Sequence, residues 1–185
     1  MKDEILAELR DKMEDALEAL ERDFKRVRTG RATVSLLDGV RAEAYGSLMP
    51  LNQLATLSAP EPRLLLIQPW DVSVISQIEK GILKSELGLT PMSDGKVIRI
   101  SIPPLTEERR KELVKLVRKM SEEGRVSVRN ARRDANDMFK DLKKEGDMSE
   151  DEAFKAQEEV QEITDEYIKK VDEILKAKEQ EVMEV

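Results

Sequence analysis

The chain has no cysteine and no histidine among its 185 residues. Without cysteine it forms no disulfide and offers neither a thiol nucleophile nor a thiolate metal ligand. Without histidine it lacks the usual general base and the commonest ligand of transition metals. The phosphate-binding, dinucleotide-binding and serine-nucleophile motifs of common enzymes are absent as well. We therefore expect a protein that is not an enzyme and that uses no cofactor and no metal.

Long apolar segments and aromatic residues are also scarce. No uninterrupted apolar segment approaches the roughly 20 residues that a membrane span needs, and the charged N-terminus is unlike a signal peptide. Aromatic residues make up 3% of the chain and charged residues 38%, a balance typical of long helices with charged surfaces. These features predict a cytoplasmic protein that does not contact membranes.

Apolar residues at intervals of three and four predict long amphipathic helices at both ends of the chain. The first helix runs from residue 3 to about 28, and Gly30 stands where a glycine commonly ends a helix. The second follows Thr106, which is placed as its N-cap, and Gly124 occupies a core position where it allows close packing or bending. The predicted core residues are Ile5, Leu9, Met13, Ala16, Leu20, Phe24 and Val27 in the first helix, and Leu113, Val117, Met120, Val128, Ala131, Ala135, Met138 and Leu142 in the second.

A third helix follows the second after a short link. Gly146 ends the second helix, and Ser149 with Glu152 forms the capping-box pattern that starts the third. Its predicted core residues are Val160, Ile163, Tyr167, Val171, Ile174 and Val182. Because the link is so short, the second and third helices should pack as antiparallel neighbours, with the first helix beside them.

The segment from residue 31 to about 103 has a different character, with fewer charges and several prolines. Alternating or apolar runs predict four strands, at residues 40–45, 54–58, 64–67 and 96–102. Asp71 is placed to cap a helix that carries Val74, Ile75, Ile78 and Ile82 on one face. Trp70 is predicted to fill the core or rim of this segment, and base stacking is the alternative role for its ring.

The predicted fold class is therefore α+β, mainly α: an elongated antiparallel three-helix bundle with a small α+β domain inserted into it. The bundle, domain I, comprises residues 1–29 and 105–185, and the inserted domain II comprises residues 30–104. Only two stretches of chain connect the domains, which predicts a flexible hinge. Its residues are Thr29, Gly30, Arg31, Pro103 and Pro104.

The chain carries a net charge of −7 that is unevenly distributed. Residues 109–133 contain ten basic and three acidic residues, whereas residues 134–185 carry a net charge of −10. At 100° per residue, most basic side chains of the second helix fall on one side of it. This basic face comprises Lys111, Lys115, Arg118, Arg125, Arg129, Arg132, Arg133 and Lys140.

Two interpretations of the basic face remain open on charge alone. A row of arginines on a rigid helix can follow a nucleic-acid backbone, because each guanidinium binds phosphate through a planar fork of donors. Alternatively, the face is simply solvated and paired with the acidic third helix, as charged helix faces commonly are. A general helical RNA-binding protein and a dimerising scaffold rod are the competing classes of function.

Several segments resemble the ribosome recycling factor family. They are Arg-Thr-Gly-Arg-Ala at 28–32, Ser-Leu-Leu-Asp at 35–38, Pro-Leu-Asn-Gln-Leu-Ala at 50–55, Ser-Glu-Leu-Gly-Leu-Thr-Pro at 85–91, Pro-Pro-Leu-Thr-Glu-Glu-Arg-Arg-Lys-Glu-Leu at 103–113 and Val-Arg-Asn-Ala-Arg-Arg-Asp-Ala at 128–135. The resemblance extends from end to end, although the third helix follows the family only loosely. The family's fold is a three-helix bundle with an inserted β/α/β domain, in agreement with the organisation predicted above.

The resemblance implies a function and partners. Members of the family bind the 70S-type ribosome after termination, against large-subunit ribosomal RNA. With elongation factor G and GTP hydrolysis they promote its dissociation into subunits and the release of mRNA and tRNA, and the GTPase is the partner. Arg129 and Arg132 match family positions that contact ribosomal RNA, and Arg28 is expected to join them. Arg118, Arg125 and Arg133 complete the predicted RNA-binding set, and a monomer suffices for this function.

Overall fold

The computed structural model describes residues 1–184, so Val185, the last residue of the predicted domain I, lies outside the described residues. The described chain forms two compact units, one of residues 1–28 and 107–184 and the other of residues 29–106. None of the described helices combines the length and the apolarity that crossing a membrane requires.

Helices dominate the first unit and strands the second, which confirms the predicted α+β, mainly α, fold class. The α-helices of the described residues are α1 (Lys2–Arg26), α2 (Ile75–Lys84), α3 (Glu107–Glu145) and α4 (Glu150–Met183). The strands are β1 (Arg41–Ala44), β2 (Ser47–Pro50), β3 (Ala55–Glu61), β4 (Leu64–Pro69), β5 (Pro91–Ser93) and β6 (Ile98–Ser101).

The first unit is a bundle in which α3 runs antiparallel to both α1 and α4. Lys2 of α1 bonds Glu159 of α4, and further along both helices Arg10 bonds Glu166, so α1 and α4 run parallel. The bundle's buried residues are Leu9, Met13, Leu17, Leu20, Phe24, Val27, Leu113, Val117, Ser121, Val128, Ala131, Ala135, Phe139, Ala153, Ala156, Val160, Ile163, Thr164, Tyr167, Val171 and Val182.

At two predicted core positions in the bundle, an adjacent and larger apolar residue is buried instead. Leu17 rather than Ala16 is buried in α1, and Phe139 is fully buried in α3 whereas Met138 is 36% exposed. In both places two apolar residues are adjacent in the sequence. Either of them fits the spacing of three or four residues between core positions, so the spacing alone does not choose between them. The larger side chain lies in the core, where it removes more apolar surface from water.

The end of α1 also differs from the prediction. The helix ends at Arg26, and Val27 is already extended with φ −76° and ψ 115°. Gly30 is therefore not the residue that ends the helix, although it does adopt a left-handed φ of 76°. A Cβ at Gly30 would lie 2.8 Å from Leu105 Cγ, so this glycine lets two segments of the second unit approach closely.

The predicted boundary between α3 and α4 is confirmed. Gly146 has a φ of 85°, and the N–H of Asp147 donates to the carbonyl of Leu142 across the end of α3. This is the Schellman arrangement, which satisfies carbonyls that the helix leaves unpaired. Ser149 and Glu152 then exchange hydrogen bonds as a capping box at the start of α4.

The second unit contains a four-stranded antiparallel sheet in the order β3-β4-β6-β5 and a separate hairpin of β1 and β2. All four predicted strands are present with slightly shifted ends, whereas the short strands β2 and β5 were not predicted. The core lies between the strands and α2. Its largest fully buried side chains are Leu37, Leu51, Leu65, Ile67, Ile78, Ile82, Ile98 and Ile100.

The segment that leads into α2 shows one confirmation and one error. Asp71 accepts a hydrogen bond from the Ser73 N–H and caps a short 3₁₀ turn. This turn runs directly into α2, whose predicted apolar face is buried. Trp70, in contrast, is 66% exposed, so of its two predicted places, the core or the rim, the core is excluded. Its Nε1 donates to the hydroxyl of Thr56, which holds the indole on the surface.

Candidate nucleic-acid interface

The basic face of α3 adjoins the side of the helix that packs into the bundle. Arg118, Arg129 and Arg132 each directly follow a buried residue, so they lie about 100° around the helix from it. The rise of α3, about 1.5 Å per residue, spreads them along the helix. The backbone of a single rigid element thus positions the whole row.

Two arginines of the basic face are bonded to acidic residues of α4. The Nε of Arg118 donates to Oε1 of Glu179 at 2.6 Å, and the Nη2 of Arg125 donates to Oδ1 of Asp172 at 2.6 Å. These hydrogen bonds raise the pKa of both guanidinium groups. For these two side chains, the structure supports pairing with the acidic third helix.

Arg129 has its ionic partner on its own helix. Its Nη1 donates to Oε1 of Glu122 at 2.9 Å, and Arg125 donates to the other oxygen of that carboxylate at 3.2 Å. The two arginines, with Arg129 as the larger cause, lower the pKa of Glu122. One carboxylate, that of Glu122, thus draws two guanidinium groups of the basic face together.

The remaining predicted RNA-binding arginines form no ion pair with any residue in the described part of the chain. Arg132 is half-buried beside the core, and Arg133 is exposed. Arg28, the last residue of the first unit's N-terminal segment, is exposed as well. The predicted set therefore divides into Arg118 and Arg125, which are paired across helices; Arg129, which is paired locally; and three arginines whose guanidinium groups are available.

The predicted hinge residues lie at the edge of the second unit. The N–H of Ala32 donates to the carbonyl of Pro62, and the N–H of Ile102 donates to the carbonyl of Arg63. Both connecting segments are thus anchored in the second unit directly beside the predicted hinge. Thr29 is buried, whereas Arg31, Pro103 and Pro104 are exposed.

The sequence analysis did not identify which acidic residues bond the arginines. The net charge of −10 after residue 133 indicated an acidic helix, but it did not indicate which acids meet which arginines. Arg118 and Glu179 are 61 positions apart and Arg125 and Asp172 are 47 apart. Only the antiparallel register of α3 and α4 brings them together. Among residues 1–184, no cluster of three acidic side chains is suited to hold a metal ion.

The structure is that of a helical-bundle protein with an inserted α+β unit and a row of arginines along one helix. The family model described as "Ribosome recycling factor" matches residues 20–183. The ribosome-recycling factor of Syntrophobacter fumaroxidans is 65% identical over 185 residues, and that of Bacillus subtilis is 56% identical over 185 residues, each covering 100% of both chains. The chain belongs to the ribosome recycling factor family and is a translation factor.

Solved structures agree with this assignment. A solution structure of the ribosome recycling factor has a TM-score of 0.71 and 42% identity, covering 100% of this chain and 98% of the other. A second has a TM-score of 0.63 and 50% identity over 98% of each chain. It is described as models for the T. thermophilus ribosome recycling factor and the E. coli elongation factor G bound to the E. coli post-termination complex.

Proposed function

We propose that this chain recycles ribosomes after translation termination, by binding the post-termination ribosome and promoting its dissociation together with elongation factor G. The supporting observation is the match to the family over the whole chain, together with an arginine row on α3. The related factor bound with elongation factor G to a post-termination complex supports the choice of partners. In this proposal the chain is not itself an enzyme: elongation factor G hydrolyses GTP, and the chain works as a monomer in the cytoplasm.

The ion pairs of α3 rank the arginines in the proposed contact with large-subunit ribosomal RNA. Arg132, Arg133 and Arg28 have no ionic bond to surrender, so phosphate contacts by them cost least. Arg129 is held by one exposed carboxylate, and exposed ion pairs contribute little to stability. Its guanidinium therefore exchanges Glu122 for phosphate readily, whereas Arg118 and Arg125 also join α3 to α4.

The chain segments between the two units support the proposed hinge. Gly30 has a left-handed φ, and the prolines at 103 and 104 stiffen the other connection. Ala32 and Ile102 are hydrogen-bonded within the second unit. Bending is therefore confined to the few residues that precede Ala32 and the few that follow Ile102. A hinge there would let elongation factor G push the second unit while the bundle stays on ribosomal RNA.

The experiment that tests the function is subunit splitting followed by light scattering. Post-termination ribosomes are mixed with elongation factor G, GTP and either the native chain or its Arg129→Ala/Arg132→Ala variant. Losing two charge-assisted contacts of about 1.5–3 kcal/mol each predicts ribosome binding weaker by at least about a hundredfold. The salt dependence of binding should also decrease by about one unit of slope per lost phosphate contact.

The matched control is Lys155→Ala/Lys169→Ala, which removes two positive charges from α4, where both lysines are exposed. This variant should split ribosomes like the native chain, and circular dichroism should show equal helicity for all three proteins. If both variants lose activity equally, net charge rather than the arginine row governs binding. If the native chain neither binds nor splits ribosomes with an elongation factor G of the same origin, the proposed function fails.

A further inference from the structure

A groove of about 700 Å³ lies in the second unit between the β1–β2 hairpin and α2. The hairpin backbone lies directly on the helix, because a Cβ at Gly81 of α2 would be 2.5 Å from the carbonyl oxygen of Arg41. Only a residue without a side chain permits this approach. The two walls of the groove are therefore held at a fixed separation, and neither wall belongs to the arginine row of α3.

The groove carries more positive than negative charge. Arg41 lines one wall, and Lys80 and Lys84 line the other, with Glu43 as the single acid in the lining. All four side chains are exposed. None of the three cations has an ionic partner in the described part of the chain, unlike Arg118, Arg125 and Arg129 on α3. Three cations that form no ion pair line one concave surface. This arrangement is suited to an anionic ligand.

An aromatic ring stands at the mouth of the groove on a backbone that disfavours it. Tyr45 and Gly46 form the two-residue turn between β1 and β2, with φ angles of 52° and 81°. Such a turn favours asparagine or glycine, and Tyr45 is the one non-glycine residue with positive φ in the described part of the chain. Its hydroxyl donates to Oδ2 of Asp71 at 2.6 Å, yet the residue remains 69% exposed.

The tyrosine is thus fixed in place but not used for packing. An exposed aromatic at a strained turn contributes little to folding, and an observed backbone outlier of this kind points to a role in binding. A ring held by its hydroxyl leaves its face free to stack. The combination of a fixed aromatic face with unpaired cations is the arrangement by which proteins hold single-stranded nucleic acid.

We propose that the groove between the β1–β2 hairpin and α2 binds single-stranded RNA, with an unpaired base stacked on Tyr45 and the backbone phosphates held by Arg41, Lys80 and Lys84. Paired RNA is excluded because its bases are already stacked on one another and do not reach the ring. The proposal adds a second RNA contact to the proposed function. It is tested without ribosomes, so its failure and that of the recycling function are distinguishable.

A relocated tryptophan reports binding at this groove and nowhere else. Trp70 is the single tryptophan of the chain, so the variant Tyr45→Trp/Trp70→Phe places the only indole at the mouth of the groove. A short oligouridylate is added to the full-length variant, and its fluorescence is followed. Stacking of a base should quench the indole in a saturable manner that weakens as salt is raised.

Charge variants in the same background test the phosphate contacts. Lys80→Ala/Lys84→Ala should weaken the binding by at least about tenfold. Arg63→Ala/Lys96→Ala is the matched control, since it removes two exposed cations of the same unit that do not line the groove, and it should bind normally. Quenching that is absent, or that both double variants weaken equally, overturns the proposal.

Two further comparisons separate RNA from other partners and from misfolding. A short polyglutamate peptide should not quench the indole. Quenching by the peptide as strong as that by RNA would show that the ligand is an acidic protein segment instead of RNA.

In the native background, Tyr45→Asn introduces a residue that the turn favours and removes the ring. Binding of fluorescein-labelled oligouridylate, measured by anisotropy, should lose its groove component while the circular dichroism spectrum is unchanged. Unchanged affinity in this variant would refute the stacking role.

Discussion

Two glycines in helices, Gly81 of α2 and Gly124 of α3, should respond in opposite directions to replacement by alanine. Alanine in a helix interior is more stable than glycine by about 0.5–1 kcal/mol. The surroundings decide whether that gain is kept. A Cβ at Gly124 would lie 3.5 Å from Leu20 Cδ2, an ordinary contact. A Cβ at Gly81 would lie 2.5 Å from the backbone oxygen of Arg41.

The expected magnitudes follow from these distances. Gly124→Ala gains the helical preference and buries a methyl group partly, so it should raise the free energy of unfolding by about 1 kcal/mol. At Gly81 the obstacle is backbone, which cannot rotate away, and the hairpin must shift from α2. Overpacking of this kind costs about 1–3 kcal/mol. After the helical gain is subtracted, Gly81→Ala should lower the free energy of unfolding by about 1–2 kcal/mol.

The assay is urea unfolding followed by two signals, because two units need not unfold together. Far-ultraviolet circular dichroism is dominated by the bundle helices, and the fluorescence of Trp70 reports the second unit. The midpoint of the fluorescence transition should fall in Gly81→Ala, and that of the dichroism transition should rise in Gly124→Ala. A stabilised Gly81→Ala would refute the close approach of hairpin and helix, and a destabilised Gly124→Ala would refute the ordinary contact distance between the added Cβ and Leu20.

Three further predictions test the bundle core, its capping and the charge of a turn. Phe139→Ala should lower the free energy of unfolding by about 3–5 kcal/mol, whereas Met138→Ala should lower it by less than about 1 kcal/mol. Equal effects of the two substitutions in urea unfolding would contradict the burial of Phe139. Ser149→Ala removes the capping box and should cost about 1 kcal/mol in thermal unfolding, whereas Ser127→Ala in the interior of α3 should be near neutral. Two backbone N–H groups and an arginine lower the pKa of Asp94 to about 2, so its carboxylate stabilises the fold above its ordinary pKa of about 3.9 and this stabilisation disappears as pH falls toward 2. Asp94→Ala should therefore lower the urea midpoint at neutral pH and have little effect near pH 2, and a constant difference across this range would contradict that account.

The long helices could be predicted from the sequence because their signals are local. A capping box needs only Ser149 and Glu152, and a helix end needs only Gly146. Where the local signal admits two solutions, as at Met138 and Phe139, the prediction failed, because packing against the other helices makes the choice. The short strands β2 and β5 contain proline at one end and lack alternation, so only their partners β1 and β6 identify them.

The position of the arginine row could likewise be predicted from the sequence. Which of its arginines form ion pairs could not. Spacing places Arg118, Arg125, Arg129 and Arg132 along one side of α3, since this depends on the geometry of one helix. Which of them is bonded depends on the register between α3 and α4. The groove of the second unit was missed for the same reason, because Arg41 and Lys84 line one surface only when the hairpin is packed on α2.

A chain of net charge −7 must bind negatively charged RNA through local groups of arginines, and the ion pairs determine which arginines are available. At physiological salt, charges further apart than about 8 Å are largely screened, so the net repulsion matters little once the surfaces are close. Attraction then depends on individual arginines in register with phosphates. Since α4 already binds Arg118 and Arg125, few guanidinium groups remain for an arbitrary RNA. Binding should be strong only where the RNA places phosphates opposite Arg129, Arg132 and Arg133 together, which favours a particular rigid RNA surface over RNA in general.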